Sequence, residues 1–310
     1  MVAEVEPAFA SPDDVAERLS AAGYLPDREV ATTVFLADRL GRPLLVEGPA
    51  GVGKTELAKA VAAATGAGLV RLQCYEGLDE SRALYEWNYR KQLLRIQAGQ
   101  HEQGTQSARG VDADPSASGP DRSGWASVHD DIFSEEFLLD RPLLAAIRRS
   151  ERTVLLVDET DKADVEVEAL LLEVLSDFQV TVPELGTIAA VRRPFVVLTS
   201  NATRELSEAL RRRCLYLHLD YPDADREKAI VLARVPELPE LLADQLVRTV
   251  NALRSLELRK APSVSETIDW ARTLIALGLT ELDGAAVAAT LGVVLKHDAD
   301  HTKATRELRL

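Results

Sequence analysis

The octet Gly48-Pro49-Ala50-Gly51-Val52-Gly53-Lys54-Thr55 constrains this 310-residue chain more than any other stretch. It fits G-x-x-x-x-G-K-[ST], and it stands between an apolar run, Pro43-Leu44-Leu45-Val46, and a helix-forming run over 54–64. Glycines let the backbone curl until successive N–H groups converge, and the start of the next helix adds the positive end of its dipole. Such a loop seats phosphate oxygens. Lys54 is placed to reach the β- and γ-phosphates of a nucleotide, and Thr55 to offer its hydroxyl to Mg2+. Glu56 follows in the first helical turn. The context requires strand, loop and helix in succession, hence an α/β fold.

A second stretch, Val154-Leu155-Leu156-Val157-Asp158-Glu159, predicts an apolar strand over 153–157 that ends in two carboxylates. Asp158 at that point stands beside a phosphate-bound metal, and Glu159 can polarise an attacking water as general base. The second carboxylate favours hydrolysis over transfer to a small acceptor. Taken alone, the pair could also be a strand that happens to end in acidic residues. Thr199-Ser200-Asn201 closes another predicted strand, 195–198. Asn201 there either orients the water near the γ-phosphate or caps the next turn. Arg211-Arg212-Arg213 follows a short helix expected over 205–210. Three adjacent arginines cannot all face one nucleotide. They form either a solvated or salt-bridged patch or a turn from which one reaches a neighbouring subunit's γ-phosphate.

Strand and helix signals alternate up to Tyr221 and imply a parallel sheet covered on both faces by helices. Ser11 and Pro12 open one helix, and a second runs over 27–40 and stops at Gly41. Strands are expected over 69–72 and 215–219. A helix is expected over 82–98, and a mobile Gly/Ser/Asp/Pro-rich loop over 100–130. Val167, Leu170, Leu171, Val174, Leu175 and Phe178 share one helical face. A β-hairpin is expected where 180–182 and 187–189 flank Pro183-Glu184-Leu185-Gly186. Beyond Tyr221 the pattern is all helix, with a Ser263-x-x-Glu266 capping box. The expected domains are therefore 1–221, an α/β core, and 222–310, a smaller helical lid.

Composition sets limits on location and partners. No apolar run approaches the ~18 residues that span a bilayer, and the acidic start Met1-Val2-Ala3-Glu4-Val5-Glu6 argues against a secretory signal. The two cysteines fit buried thiols in a reducing cytoplasm. A net charge of −14 argues against a general nucleic-acid backbone binder. The five histidines and two cysteines lack metal-ligand spacing. Asp161-Lys162-Ala163-Asp164 looks like a guanine-reading N-K-x-D, but it directly follows Glu159, whereas a base-reading loop must come from another strand.

Together these residues resemble the MoxR family of AAA+ ATPases over most of 27–270. The likeness is nearest to the subgroup encoded beside carbon monoxide dehydrogenase-type molybdenum hydroxylases. It is carried by Arg42-Pro43-Leu44-Leu45-Val46-Glu47-Gly48, Gln73-Cys74-Tyr75-Glu76-Gly77-Leu78-Asp79 and Tyr85-Glu86-Trp87-Asn88-Tyr89. Further stretches are Pro183-Glu184-Leu185-Gly186-Thr187, Leu206-Ser207-Glu208-Ala209-Leu210-Arg211-Arg212-Arg213-Cys214 and Pro262-Ser263-Val264-Ser265-Glu266-Thr267. The resemblance implies an ATP- and Mg2+-using core, a helical lid and a homo-oligomeric ring, typically a hexamer. It also implies a chaperone-like role with a von Willebrand factor A (VWA) domain partner and a metalloenzyme client. It points to Arg213 as the arginine finger, with Arg212 second. One departure is clear: the family's lid carries a sensor Arg where this chain has Ser263-Val264-Ser265-Glu266, which leaves either a substitute such as Arg259, Lys260 or Arg272 or a weaker lid closure. Two other functions compete with this one, a nucleic-acid motor or loader and an ATP-gated scaffold with little turnover.

Overall fold

The computed structural model describes residues 7–97 and 132–309. Its centre is a five-stranded sheet made from β1 (Leu44–Glu47), β2 (Gly68–Gln73), β5 (Thr153–Asp158), β8 (Phe195–Ser200) and β9 (Leu215–His218). The spatial order is β2-β5-β8-β1-β9, and every pairing is parallel. All of β1 and β5 is buried, as expected of strands covered on both faces. The order matters for function because β8 lies between β1 and β5. The loops that leave the carboxyl ends of these three strands therefore converge, and that edge is where open α/β sheets bind ligands.

The chain divides into two compact units. One contains this sheet and every helix from Ala224 onward. The helix Lys54–Thr65 packs on β5 and β8 and the helix Arg28–Leu40 on β1 and β9, while Pro12–Ala21 packs on these two helices; Leu19, Val34, Leu57, Val61, Val154, Leu156 and Val197 share one buried core. Ser11 caps the first helix and Pro12 stands at its start, while Gly41 ends the second in the left-handed region. A second core, in the helical C-terminal part, joins Leu242, Leu246, Val250, Trp270, Leu274 and Leu291. There Ser263 and Glu266 form the reciprocal capping box expected from the sequence, which starts the helix Val264–Ala276.

The other unit holds two small antiparallel pairs, β3 (Tyr85–Trp87) with β4 (Leu138–Asp140) and β6 (Gln179–Val182) with β7 (Gly186–Ala189), together with the helix Val165–Asp177. The β6–β7 hairpin is the one the turn residues 183–186 predicted.

Two expectations need correcting. The region 82–98 is not one helix. A short turn, Glu80–Ala83, gives way to β3, and helix resumes only over 89–97. The helix fails because β3 finds its partner β4 more than fifty residues further on, a long-range pairing that outweighs local propensity. The helix placed over 205–210 instead runs Glu208–Arg213, because the Ser207 side chain accepts from Leu210 N–H and sets the start. The mobile loop expected over 100–130 lies outside the described residues. Among the described residues no helix is long and apolar enough to cross a membrane.

Candidate functional site

The phosphate-seating loop leaves β1 at Glu47. Gly48 adopts φ 150°, and a Cβ there would stand 1.9 Å from the carbonyl oxygen of Leu219. Gly51, at φ 75°, would place a Cβ 2.5 Å from Ser263 Cβ and Oγ. Positive φ favours glycine at both points, and crowding adds to it, from the Leu219 backbone at Gly48 and from the Ser263 side chain at Gly51. Pro49, Ala50 and Val52 fill the turns between. Gly53 then opens the helix Lys54–Thr65 without a side-chain cap, so its first N–H groups remain available to a ligand.

Lys54 is buried. Its Nζ donates to Gly48 O and Pro49 O at 2.7 Å each and to Asn201 Oδ1 at 2.8 Å. Those three bonds use all the hydrogens of an ammonium. Burial lowers the Lys54 pKa below the ordinary lysine value, against the opposing pull of the Asp161, Asp158 and Glu159 carboxylates.

The buried Asp158 ends β5. Thr55 Oγ1 donates to its carboxylate at 3.1 and 3.3 Å, Thr199 Oγ1 at 2.5 Å and Arg71 Nη2 at 2.5 Å. Glu159 follows with φ 56°, a left-handed backbone that costs an L-residue about 1–2 kcal/mol. Thr199 helps to hold that turn, its Oγ1 accepting from Glu159 N–H at 2.9 Å. The result is that consecutive carboxylates separate. Asp158 meets Thr55, while Glu159 accepts from Gln73 Nε2 at 3.0 Å and from Lys162 Nζ at 2.6 Å.

Asn201 follows β8, and its N–H donates to Asp161 Oδ1 at 3.2 Å. Thr203 adds bonds to Asp161 Oδ2 from N at 3.1 Å and from Oγ1 at 2.5 Å. Burial pushes the Asp161 pKa up, but these hydrogen bonds outweigh it and hold the carboxyl below its ordinary range. Asp161 is thus a fixed anchor for the turn that presents Asn201.

Lys54, Thr55, Glu56, Asp158, Glu159 and Asn201 line one cleft of about 270 Å³, with Arg71, Thr199 and Ser265. Beside it lies a recess of about 120 Å³ with apolar walls from Tyr24, Val52, Leu219, Ile230 and Ile268 and polar ones that include Arg226 and Arg234. An apolar wall beside polar groups suits a heterocycle next to phosphates. Thr55 and Asp158 supply hard oxygen donors at adjacent positions, a set that suits Mg2+.

The arginines 211–213 occupy the last turn of their helix and separate. Arg211 turns onto the buried Glu47 at 3.1 and 3.4 Å and over the Tyr216 ring at 5.5 Å. Arg212 pairs with Glu208 at 2.9 Å, and Arg213 donates to Ala209 O at 3.1 Å. Both are exposed and neither lines the cleft. Arg42 fixes the turn by donating to the carbonyls of Arg212, Arg213 and Cys214. Cys74 and Cys214 are buried, and burial pushes each thiol up to about 12.

None of the basic residues considered as substitutes for a lid sensor lines the cleft. Lys260 pairs with Glu266 and Arg272 with Asp269, while Arg259 N–H donates to Asp300. Instead Arg234 reaches Glu56 at 2.8 Å, and Arg226 pairs with Asp27. Reasoning from sequence missed Arg71, Gln73, Thr199 and Arg234. Each is a single polar residue within or beside an element, and no local pattern marks it.

A parallel sheet with a glycine phosphate loop after one strand and an acid pair after another defines a P-loop nucleotide-binding domain. Residues 43–214, more than half of the chain, match the family model for the AAA domain, dynein-related subfamily. The chain belongs to this family of AAA+ ATPases. Chaperone protein ClpB 2 of Parasynechococcus marenigrum is 32% identical over 176 residues, 57% of this chain and 14% of that protein. Chaperone protein ClpB of Corynebacterium glutamicum is 31% identical over 202 residues, 65% of this chain and 18% of that protein. The chain thus spans less than a fifth of the length of these relatives. Among solved structures, the Thermotoga maritima RuvB Holliday junction branch migration motor aligns over 93% of this chain and 72% of its own, with TM-score 0.44 and 17% identity.

Proposed function

We propose that the chain binds Mg-ATP in this cleft and hydrolyses it, as one subunit of a ring that remodels other proteins. The observation that carries the reading is the meeting of Lys54, Thr55, Asp158, Glu159 and Asn201, from three strand ends, around one cleft. Lys54 exchanges its bonds to Gly48 and Pro49 for phosphate oxygens. Thr55 and Asp158 would hold a magnesium ion, which would supply charge to neutralise the phosphates. Glu159 takes a proton from the attacking water, and Asn201 orients that water. Arg213, or Arg212 beside it, reaches the nucleotide of a neighbouring subunit. The family's usual assembly, a hexameric ring, supplies that neighbour.

Resemblance in the stretches around Gln73, Tyr85, Pro183 and Leu206 supports a finer reading. The client is a metalloenzyme of the molybdenum-hydroxylase kind, approached with a VWA-domain protein. The test is multiple-turnover phosphate release at concentrations that permit assembly, alone and with an apo-hydroxylase, a VWA protein or duplex DNA. Stimulation by the protein pair supports remodelling. Stimulation by DNA alone would replace this reading with a nucleic-acid motor, and binding without turnover would replace it with a scaffold.

A further inference from the structure

Arg71 has no part in the reading above, yet it lines the same cleft. It lies in β2, which pairs with β5 so that Arg71 stands opposite Leu156, two residues before Asp158. From there Nη2 reaches Asp158 Oδ2 at 2.5 Å, the oxygen that Thr55 Oγ1 approaches at 3.3 Å. The Asp158 side chain is 4% exposed, whereas that of Arg71 is 49% exposed. A buried carboxylate without a counter-charge is costly, and a short charge-assisted bond from a guanidinium relieves that cost. The same Nη2 also donates to Gln73 Oε1 at 2.5 Å.

We infer that Arg71 is a resident cation at the metal seat, which a divalent ion must displace from Asp158 before the site is loaded. This rests on the assignment of Thr55 and Asp158 as the metal's ligands. The reasoning is electrostatic. A guanidinium bonded to Asp158 and a dication held by Thr55 and Asp158 would stand a few ångströms apart at one carboxylate, and like charges at that distance repel. Arg71 can leave because its long side chain is half in solvent. Lys54, by contrast, bonds Gly48 O, Pro49 O and Asn201 Oδ1 rather than Asp158, so it does not occupy the metal seat. The seat is therefore neutralised when empty, and metal affinity is set below what Thr55 and Asp158 alone would give.

The test titrates Mn2+ into the full chain with a saturating non-hydrolysable ATP analogue and reads water-proton relaxation enhancement. The measured quantity is the Mn2+ concentration at half-maximal enhancement. Arg71→Ala and Arg71→Gln should each lower it by about fivefold or more, while Arg71→Lys, which keeps the charge, should stay within about twofold of wild type. An unchanged or raised midpoint in both neutral variants overturns the inference while leaving the nucleotide site intact. Failure of the wild type to bind the analogue at all would instead defeat the functional reading. Binding of the analogue without metal, followed separately by fluorescence, confirms that each variant is folded.

Discussion

Lys54 and Arg213 are both cations assigned to the same nucleotide chemistry, and the chain treats them in opposite ways. Lys54 is buried, with every ammonium hydrogen engaged by backbone or by Asn201. Arg213 stands exposed on the last turn of a six-residue helix, bonded to a carbonyl of that same turn. A preorganised group inside one subunit is fixed by that subunit's own strands and loop. A group proposed to work on a neighbour's ligand must stay at the surface, so its helix is held in place while its side chain remains exposed. Here Arg42 does the fixing, gathering the carbonyls of 212–214. Arg211 shows the contrast within three residues, because it is consumed internally by Glu47.

The largest expected effect separates the two cations directly. Arg213→Ala should bind ATP nearly as wild type does but lose roughly 10³–10⁵ in turnover, whereas Lys54→Ala should lose binding as well. Mixing the two inactive variants should restore part of the phosphate release, because a Lys54→Ala subunit lends its intact Arg213 to a neighbour with an intact loop. No recovery in demonstrably mixed assemblies would remove Arg213 as a group acting in trans, and Arg212 would be tested next. A somewhat smaller loss, roughly 10²–10⁴ in turnover, is expected for Glu159→Gln with binding retained within about threefold. Equal loss of binding and turnover, followed by equilibrium dialysis and phosphate release, would make Glu159 a structural residue instead.

Smaller effects sharpen the comparison through stability. Arg211→Ala leaves the buried Glu47 carboxylate without its guanidinium and should cost about 2 kcal/mol. Arg212→Ala, whose side chain is 77% exposed, should cost less than about 0.5 kcal/mol. Urea unfolding midpoints of the two variants would settle the order. Ser263→Ala removes one half of the capping box and should cost about 1 kcal/mol, read as earlier melting of the C-terminal helices in circular dichroism.

The parts legible in the sequence were those with local signatures. The glycine octet, the acid pair after an apolar strand, the turn at 183–186 and the capping box all signal within about eight residues. The rest depends on partners far away in the chain. β3 is three residues long and gains its stability from β4, so its residues read as part of a helix. Arg71 and Thr199 are ordinary strand residues until β5 sets Asp158 between them. The helix that carries Arg213 starts three residues later than the sequence suggests, because the Ser207 side chain caps it.

The position of β1 has a consequence for how the molecule is made. This strand carries the phosphate loop, yet both of its neighbours come late: Leu44 lies opposite Val197 on one side and Leu215 on the other. On a ribosome, the loop would be synthesised long before the strands that hold it in place. A nascent chain that stops short of β8 therefore has a phosphate-loop sequence without a phosphate site. Pairings this distant in sequence slow folding, since the entropy of closing the long intervening stretch must be met before any contact forms. Refolding from denaturant should regain helix first and nucleotide binding last, with the delay governed by closure of the sheet around β1.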